Sequence, residues 1–304
     1  MSPSGRRVAG SVVAAAVGLA GLVGVTAGST PQQATFRAGV ETVAVYATVQ
    51  DRDGRLVRGL TRDDFEVFDD GRPVEITTFS SNPVPITVVL LLDMSGSMAR
   101  EFVNVRESTS YFFSALLPDD RVRLGTFGQE VAISPVLSGD REVLERILEE
   151  EVWPGGYTPL WTAIRDGMRS LAEEPGRRVV VTLSDGEDLC RFPRRMCSSA
   201  GEVEDIAIDE GFMVYAIGMQ GENLADRLME LAEKSGGGHR ILEANAQLAT
   251  AFAEIAVELH HQYSIGFTPR ARDGRMHRLQ VRVRRPDLTA KARQTYRALR
   301  EERR

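Results

Sequence analysis

The chain has 304 residues, 42% of them hydrophobic and 26% charged, with a formal net charge of -6. That is an ordinary globular composition, long enough for one large domain with additions or for two domains. The acidic balance argues against a nucleic-acid partner, which calls for a basic face or stripe.

Arg6 and Arg7 precede an apolar stretch rich in Gly, Ala and Val, and no charge returns until Arg37. With the small residues Val25-Thr26-Ala27 at its end, this order predicts a signal peptide over residues 1–27 and an exported protein, periplasmic, secreted or associated with the cell envelope. The alternative is an N-terminal anchor that stays uncleaved. The stretch is short and rich in Gly and Ala, so it would insert weakly. A membrane is a partner only in that second case.

Residues 36–83 read as a β-rich segment. VETVAVYATVQD alternates and is rich in Val and Thr, as a strand does. FEVFDDGRPVEITTFS reads as two strands joined at Asp70-Gly71. From residue 85 the pattern changes. ITVVLLLD (86–93) is a continuous apolar run, expected of a strand buried on both faces. Helical spacing then alternates with strands up to residue 262. The helices are predicted at 101–117, 140–152, 159–174, 200–211, 223–237 and 246–262, and the later strands at 121–129, 131–137, 177–186, 212–219 and 238–244. This order predicts an α/β fold, a doubly wound, mostly parallel sheet with helices on both faces. Residues 263–297 read as a β hairpin turning at Asp273-Gly274 that packs with the N-terminal segment, so that the two flanks form one small β module. Residues 298–304 read as a charged, solvated tail.

Open α/β sheets bind ligands at the carboxyl ends of their strands. Three segments end there with oxygen-bearing side chains: LLLDMSGSM, with Asp93, Ser95 and Ser97; GGYTPL, with Thr158; and VVVTLSDGED, with Asp185. Alternate residues of an extended chain point the same way, so Asp93, Ser95 and Ser97 are placed to converge. Two carboxylates and three hydroxyls, with no His or Cys, suit a hard divalent cation. Magnesium is the first choice, with manganese or calcium as alternatives. A turn with a helix cap explains one of these residues but not the set. A serine nucleophile needs a base within reach, and none of His239, His260, His261 or His277 falls in a loop at this end of the sheet. GGYTPL lacks the lysine of a phosphate-binding loop.

The five positions, in this order, resemble the metal-ion-dependent adhesion site of von Willebrand factor type A domains. The resemblance covers about residues 85–262, and the flanks resemble a bacterial exported subfamily in which this domain sits between short β segments. It implies that Ser95, Ser97 and Thr158 ligate the ion directly, while Asp93 and Asp185 act largely through water. The last coordination position would accept an Asp or Glu carboxylate from a protein partner, which makes the protein a cation-dependent binding or adhesion module and not an enzyme. The alternatives are a metal-dependent hydrolase using the same site and a structural assembly scaffold. Ser184 stands before Asp185 where Thr is more usual.

Cys190 and Cys197 enclose only RFPRRM. In an oxidising compartment they are expected to close a small loop by a disulfide, the alternative being two free thiols. That insertion brings Arg191, Arg194 and Arg195, which with Glu187 form a candidate rim for a partner. Glu187 and Asp188 are expected to face water.

Overall fold

The computed structural model describes residues 42–300 apart from 151, 153, 154, 185–187, 192, 194, 195 and 220–223, and for residue 245 the backbone alone. The predicted signal, Trp153, Asp185, Glu187, Arg194, Arg195 and residues 301–304 lie outside the described residues.

The strand β5 (Ile86–Asp93) carries the architecture, because all eight of its residues are buried. A strand with no polar face needs cover on both sides. Its parallel neighbours are β6 (Arg121–Phe127) on one edge and β8 (Arg177–Ser184) on the other. Beyond β8 lie β9 (Met213–Gly218) and β10 (Gly238–Ile241), also parallel. Beyond β6 lies the short antiparallel edge strand β7 (Val131–Ile133). Among the described residues the sheet thus has six strands in the order β10-β9-β8-β5-β6-β7.

Alternate residues of β5 enter two separate cores. Val88, Leu90 and Leu92 pack with α1 (Phe102–Ser114), α2 (Arg141–Glu150) and α6 (Leu248–His260). Val89 and Leu91 pack with α3 (Leu160–Ser170), α4 (Ala200–Glu210) and α5 (Asp226–Lys234). The helix ends follow local chemistry. Asp140 accepts from the amides of Glu142 and Val143 at the start of α2. Ser199 caps α4 by accepting from Glu202 N, and left-handed Gly211 ends that helix. The fold is the α/β sandwich that the alternation of elements predicts. The chain goes from β5 through α1 to β6 on one side and later returns to β8 on the other. The crevice between those two paths, at the strands' carboxyl ends, is where such sheets bind ligands.

The flanks pair with each other in two four-stranded sheets that share one core. The first holds β1 (Val43–Gln50), β4 (Ile76–Ser80), β11 (Tyr263–Phe267) and β13 (Thr289–Lys291), in the order β13-β1-β11-β4. The second holds β2 (Phe65–Asp69), β3 (Arg72–Val74), β12 (Met276–Val283) and β14 (Thr295–Arg297), in the order β14-β12-β2-β3.

Three details differ from expectation. Residues 263–297 do not form a hairpin. Both edges of β11 are taken, by β1 and β4, so β12 crosses to the other sheet and pairs with β2 and β14. Residues 65–80 form three strands, since the chain leaves the β2–β3 hairpin after Val74 and β4 joins β11. The beginning of the expected tail is docked, with Ala298 buried and bonded to Arg275 O through its amide.

At the amino end of β5, away from that crevice, Asp120 is fully buried. Its carboxylate accepts from Ile86 N at 3.0 Å and Leu117 N at 2.7 Å, and lies 2.6 Å from His260 Nε2. Burial alone would raise this carboxyl, but the His260 contact and the two amides outweigh it and hold it below the usual Asp value. A depressed folded value means that the stabilisation is complete above the unfolded Asp value, about 3.9, and is lost as pH falls through the folded value. Asp120→Asn is expected to cost about 2–3 kcal/mol near neutral pH. The gap to the parent protein should shrink steadily below about pH 4. Urea titrations across that range check this; a gap independent of pH would contradict it.

Candidate metal centre

Asp93 closes β5 at the crevice and is buried. Its Oδ1 accepts from Ser95 N at 2.9 Å, and its Oδ2 accepts from Ser184 Oγ, the last residue of β8, at 2.7 Å. The serine that stands in place of a more usual threonine therefore orients the first carboxylate from the neighbouring strand. Ser95 is 2% exposed, Ser97 is exposed, and their hydroxyl oxygens lie 3.1 Å apart. Extended-strand alternation does not bring them together. Residues Gly96–Arg100 form a 3-10 turn that starts after Ser95, and this turn folds Ser97 back onto its neighbour.

The loop bearing Thr158 is joined to this turn through the backbone. Gly155 N donates to Met94 O at 2.6 Å, Gly96 N donates to Gly156 O at 3.2 Å, and Gln129 N donates to Gly155 O at 2.8 Å. Met94 N in turn donates to Phe127 O at the end of β6, at 2.8 Å. Three loops thus share one hydrogen-bonded seam. The seam depends on missing side chains: a Cβ on Gly128 would lie 2.2 Å from Gly155 O, and one on Gly156 would lie 2.0 Å from Gln129 N. Thr158 is 5% exposed, and its carbonyl accepts from Leu160 N and from Leu189 N.

The segment after β8 packs on the start of α3. Asp188 does not simply face water. Its Oδ1 accepts from Trp161 N at 3.2 Å, so it serves the exposed amides at the amino end of α3. Burial raises its carboxyl above the usual Asp value, against the lowering effect of the amides of Trp161, Cys190 and Leu160. Cys190 and Cys197 form a disulfide. Met196 and Ser198, at the end of that loop, meet Thr162, whose hydroxyl donates to Met196 O at 3.5 Å and accepts from Ser198 N at 3.1 Å. Arg191 stacks over the Tyr157 ring at 4.5 Å, one residue from Thr158. Tyr157, Leu189 and Met196 are about half exposed beside it.

The donor chemistry fits a hard divalent ion: a buried carboxylate fixed at both oxygens, with two adjacent hydroxyls at the end of a parallel strand. The histidines are engaged elsewhere. His260 faces Asp120, His261 bonds Val257 O, His239 lies near Glu233, and His277 is in the β module.

A second group with ligand chemistry was not foreseen. Among the described residues, Asp69, Asp70 and His277 place ligand atoms within 4.8 Å of one another. They lie where β2, its turn and β12 meet, in the flanking module and not beside Asp93. The signal was present in the paired aspartates of FDDG, but that motif reads first as a turn, and His277 is 208 residues from Asp69.

Comparison with known proteins bears on the fold. The von Willebrand factor type A domain pattern matches residues 87–254. The uncharacterized protein YwmC of Bacillus subtilis (strain 168) is 26% identical over 176 residues, covering 51% of this chain and 75% of YwmC. The von Willebrand factor type A structure from Catenulispora acidiphila superposes with a TM-score of 0.52 at 14% identity, covering 88% of this chain and 76% of that one. The D319A mutant of the PilB minor pilin from Streptococcus sanguinis gives a TM-score of 0.49 at 14% identity over 60% of this chain, which spans 63% of that pilin chain.

Proposed function

The chain belongs to the von Willebrand factor type A domain family, and we propose that it is an exported, divalent-cation-dependent protein-binding module. The observation that carries this reading is Asp93, buried at the tip of the central strand and held at both carboxylate oxygens, with the Ser95 and Ser97 hydroxyls 3.1 Å apart beside it. Ser95, Ser97 and Thr158 would hold magnesium directly, with Asp93 and Asp185 supporting it through water. The ion would supply a localised positive charge able to take a carboxylate from a partner.

The chain's own residues do the rest. Ser184 and the Ser95 amide fix the Asp93 carboxylate, and the glycine seam holds the Thr158 loop against the Ser95 turn. Arg191, stacked over Tyr157, would belong to the partner-facing rim, and Arg194, Arg195 and Glu187 would join it from the neighbouring sequence; a basic set there would steer an acidic partner surface and speed its encounter. The Cys190–Cys197 bridge supports export, because disulfides persist in oxidising compartments. No helix among the described residues is long and apolar enough to cross a membrane.

Calorimetric titration of the chelated protein with magnesium tests the reading. The parent protein is expected to give a saturable heat at millimolar ion or below, and Asp93→Ala is expected to give none. Equal heats from both proteins would remove Asp93 from the site, and no heat from the parent would remove the site itself.

A further inference from the structure

We propose that Asp69, Asp70 and His277 form a second metal site, for a divalent ion of the zinc and manganese class, that clips the β2–β3 hairpin to β12. His277 Nδ1 lies 3.0 Å from Asp69 Oδ1 and 3.0 Å from Asp70 Oδ2. One ring nitrogen carries at most one proton, and that proton can point well at only one of the two carboxylates. A single cation between the three atoms satisfies them all. Ligands each about 2.1 Å from a metal stand about 3.0 Å apart at octahedral and about 3.4 Å apart at tetrahedral angles, close to the two separations seen here.

The surroundings orient the three atoms as ligands. His277 Nε2 faces Asp273 Oδ1 at 3.2 Å, and in the tautomer that donates this hydrogen bond Nδ1 is left to coordinate, the ion displacing any proton there. Asp70 Oδ1 accepts from Arg278 N at 2.9 Å, and Asp69 Oδ2 accepts from Arg270 N at 3.2 Å. Each carboxylate therefore has one oxygen fixed by the backbone and the other turned toward the histidine.

An independent feature points to a missing ligand. Tyr296 stands opposite His277 across the β12–β14 pairing, with ring centroids 5.4 Å apart. It is 1% exposed, and its hydroxyl lies beside the Asp69 carboxylate without meeting hydrogen-bond distance and angle there. A buried hydroxyl left with so poor a bond is costly. A metal-bound water beside Asp69 gives it a partner. On the other side the Asp70 side chain is 57% exposed, which leaves a path for the ion and room for water ligands.

The donor set selects the ion class. One imidazole and two carboxylates suit zinc or manganese, whereas magnesium and calcium prefer oxygen alone and copper(I) prefers sulfur. The site is therefore chemically separable from the oxygen-only centre at Asp93, and does not depend on the function proposed for that centre. Its role would be structural, since strands from both ends of the chain converge on it.

The test is equilibrium dialysis of the chelated full chain against zinc in excess magnesium, with bound zinc read by elemental analysis. The parent protein and Asp93→Ala are each expected to hold one zinc per chain. Asp70→Asn and His277→Gln are expected to bind at least ~10-fold more weakly. Asn tolerates the left-handed turn position at residue 70, so the first variant should fold even if the second does not. Zinc should raise the melting temperature of the parent but not of Asp70→Asn. The proposal is overturned if the parent retains no zinc, if folded Asp70→Asn retains it equally well, or if Asp93→Ala loses it.

Discussion

Replacing Glu258 by alanine is expected to lower stability by about 3–5 kcal/mol, among the larger costs available to one side chain in this fold. Glu258 is on α6 and 3% exposed. Its Oε1 accepts from Thr48 Oγ1 at 3.2 Å and from Tyr215 Oη at 3.0 Å, and its Oε2 accepts from Arg240 at 3.0 Å. Gln262 Nε2 donates to Thr48 Oγ1 at 2.8 Å and to Tyr215 Oη at 3.2 Å, while Gln262 Oε1 accepts from Arg177. Arg177 is itself buried, donates to Leu259 O at 2.7 Å and stacks over Tyr46 at 4.8 Å.

This network joins β1 of the flanking module to β8, β9 and α6 of the α/β domain. Removing Glu258 strips acceptors from two hydroxyls and from Arg240. It also takes away a negative charge that offsets the buried Arg177. Burial lowers the Arg177 guanidinium below its usual value, and Glu258 is among the groups that oppose that shift. Burial comes first, and Glu258 next, in raising the Tyr215 phenol well above its own usual value. Urea unfolding of the parent and Glu258→Ala measures the cost. A loss below about 1 kcal/mol would mean that water replaces the carboxylate, and that the network does not couple the two parts. Because the network spans both, the β-module and α/β unfolding transitions are expected to coincide in the parent and to separate in the variant.

What could be read from the sequence divides along the range of the interactions involved. The strands β5, β8 and β9 are buried almost throughout and carry apolar runs, and only a sheet covered on both faces accommodates such runs. The cluster of Asp93, Ser95 and Ser97 was legible because it spans five consecutive residues. The means of its convergence was not, since the 3-10 turn replaces the expected alternation. In the flanks, alternation marks which face of a strand is buried but not which strand it pairs with. That is why β11 and β12 look like a hairpin although they belong to different sheets. Arg177, Glu258, Asp120 and His260 sit in segments whose patterns gave no hint of buried charge. Leu117 beside Asp120 apart, their side-chain partners are 18 to 210 residues away, and separations of that kind are set by tertiary packing. Asp188 was read as solvated because its neighbours are polar, yet the start of α3 lies beside it and takes its carboxylate.

Gly156→Ala is expected to weaken magnesium binding by at least about tenfold. It should also cost on the order of 2–5 kcal/mol of stability. Residue 156 has φ 93, a conformation that side chains with a Cβ rarely adopt. The new methyl would lie 2.0 Å from Gln129 N and 2.3 Å from Gln129 Cα. Both atoms are backbone, so no rotamer change relieves the overlap. The loop must withdraw, and its bonds from Gly96 N to Gly156 O and from Gln129 N to Gly155 O lengthen as it does. Thr158 follows two residues later and moves with the loop, away from the Ser95 turn. Magnesium tolerates little departure from octahedral geometry, so a displacement of a fraction of an ångström is felt in affinity. Gly201→Ala is the matched control, because the same methyl meets nothing within 4 Å at that position in α4. That control should keep parental affinity and gain a few tenths of a kcal/mol or more from helix propensity. Calorimetry and urea unfolding of the two variants separate the effects. Parental magnesium affinity in Gly156→Ala would show that Thr158 is not held in place by this seam. Parental stability would show that the loop is not docked against Gln129.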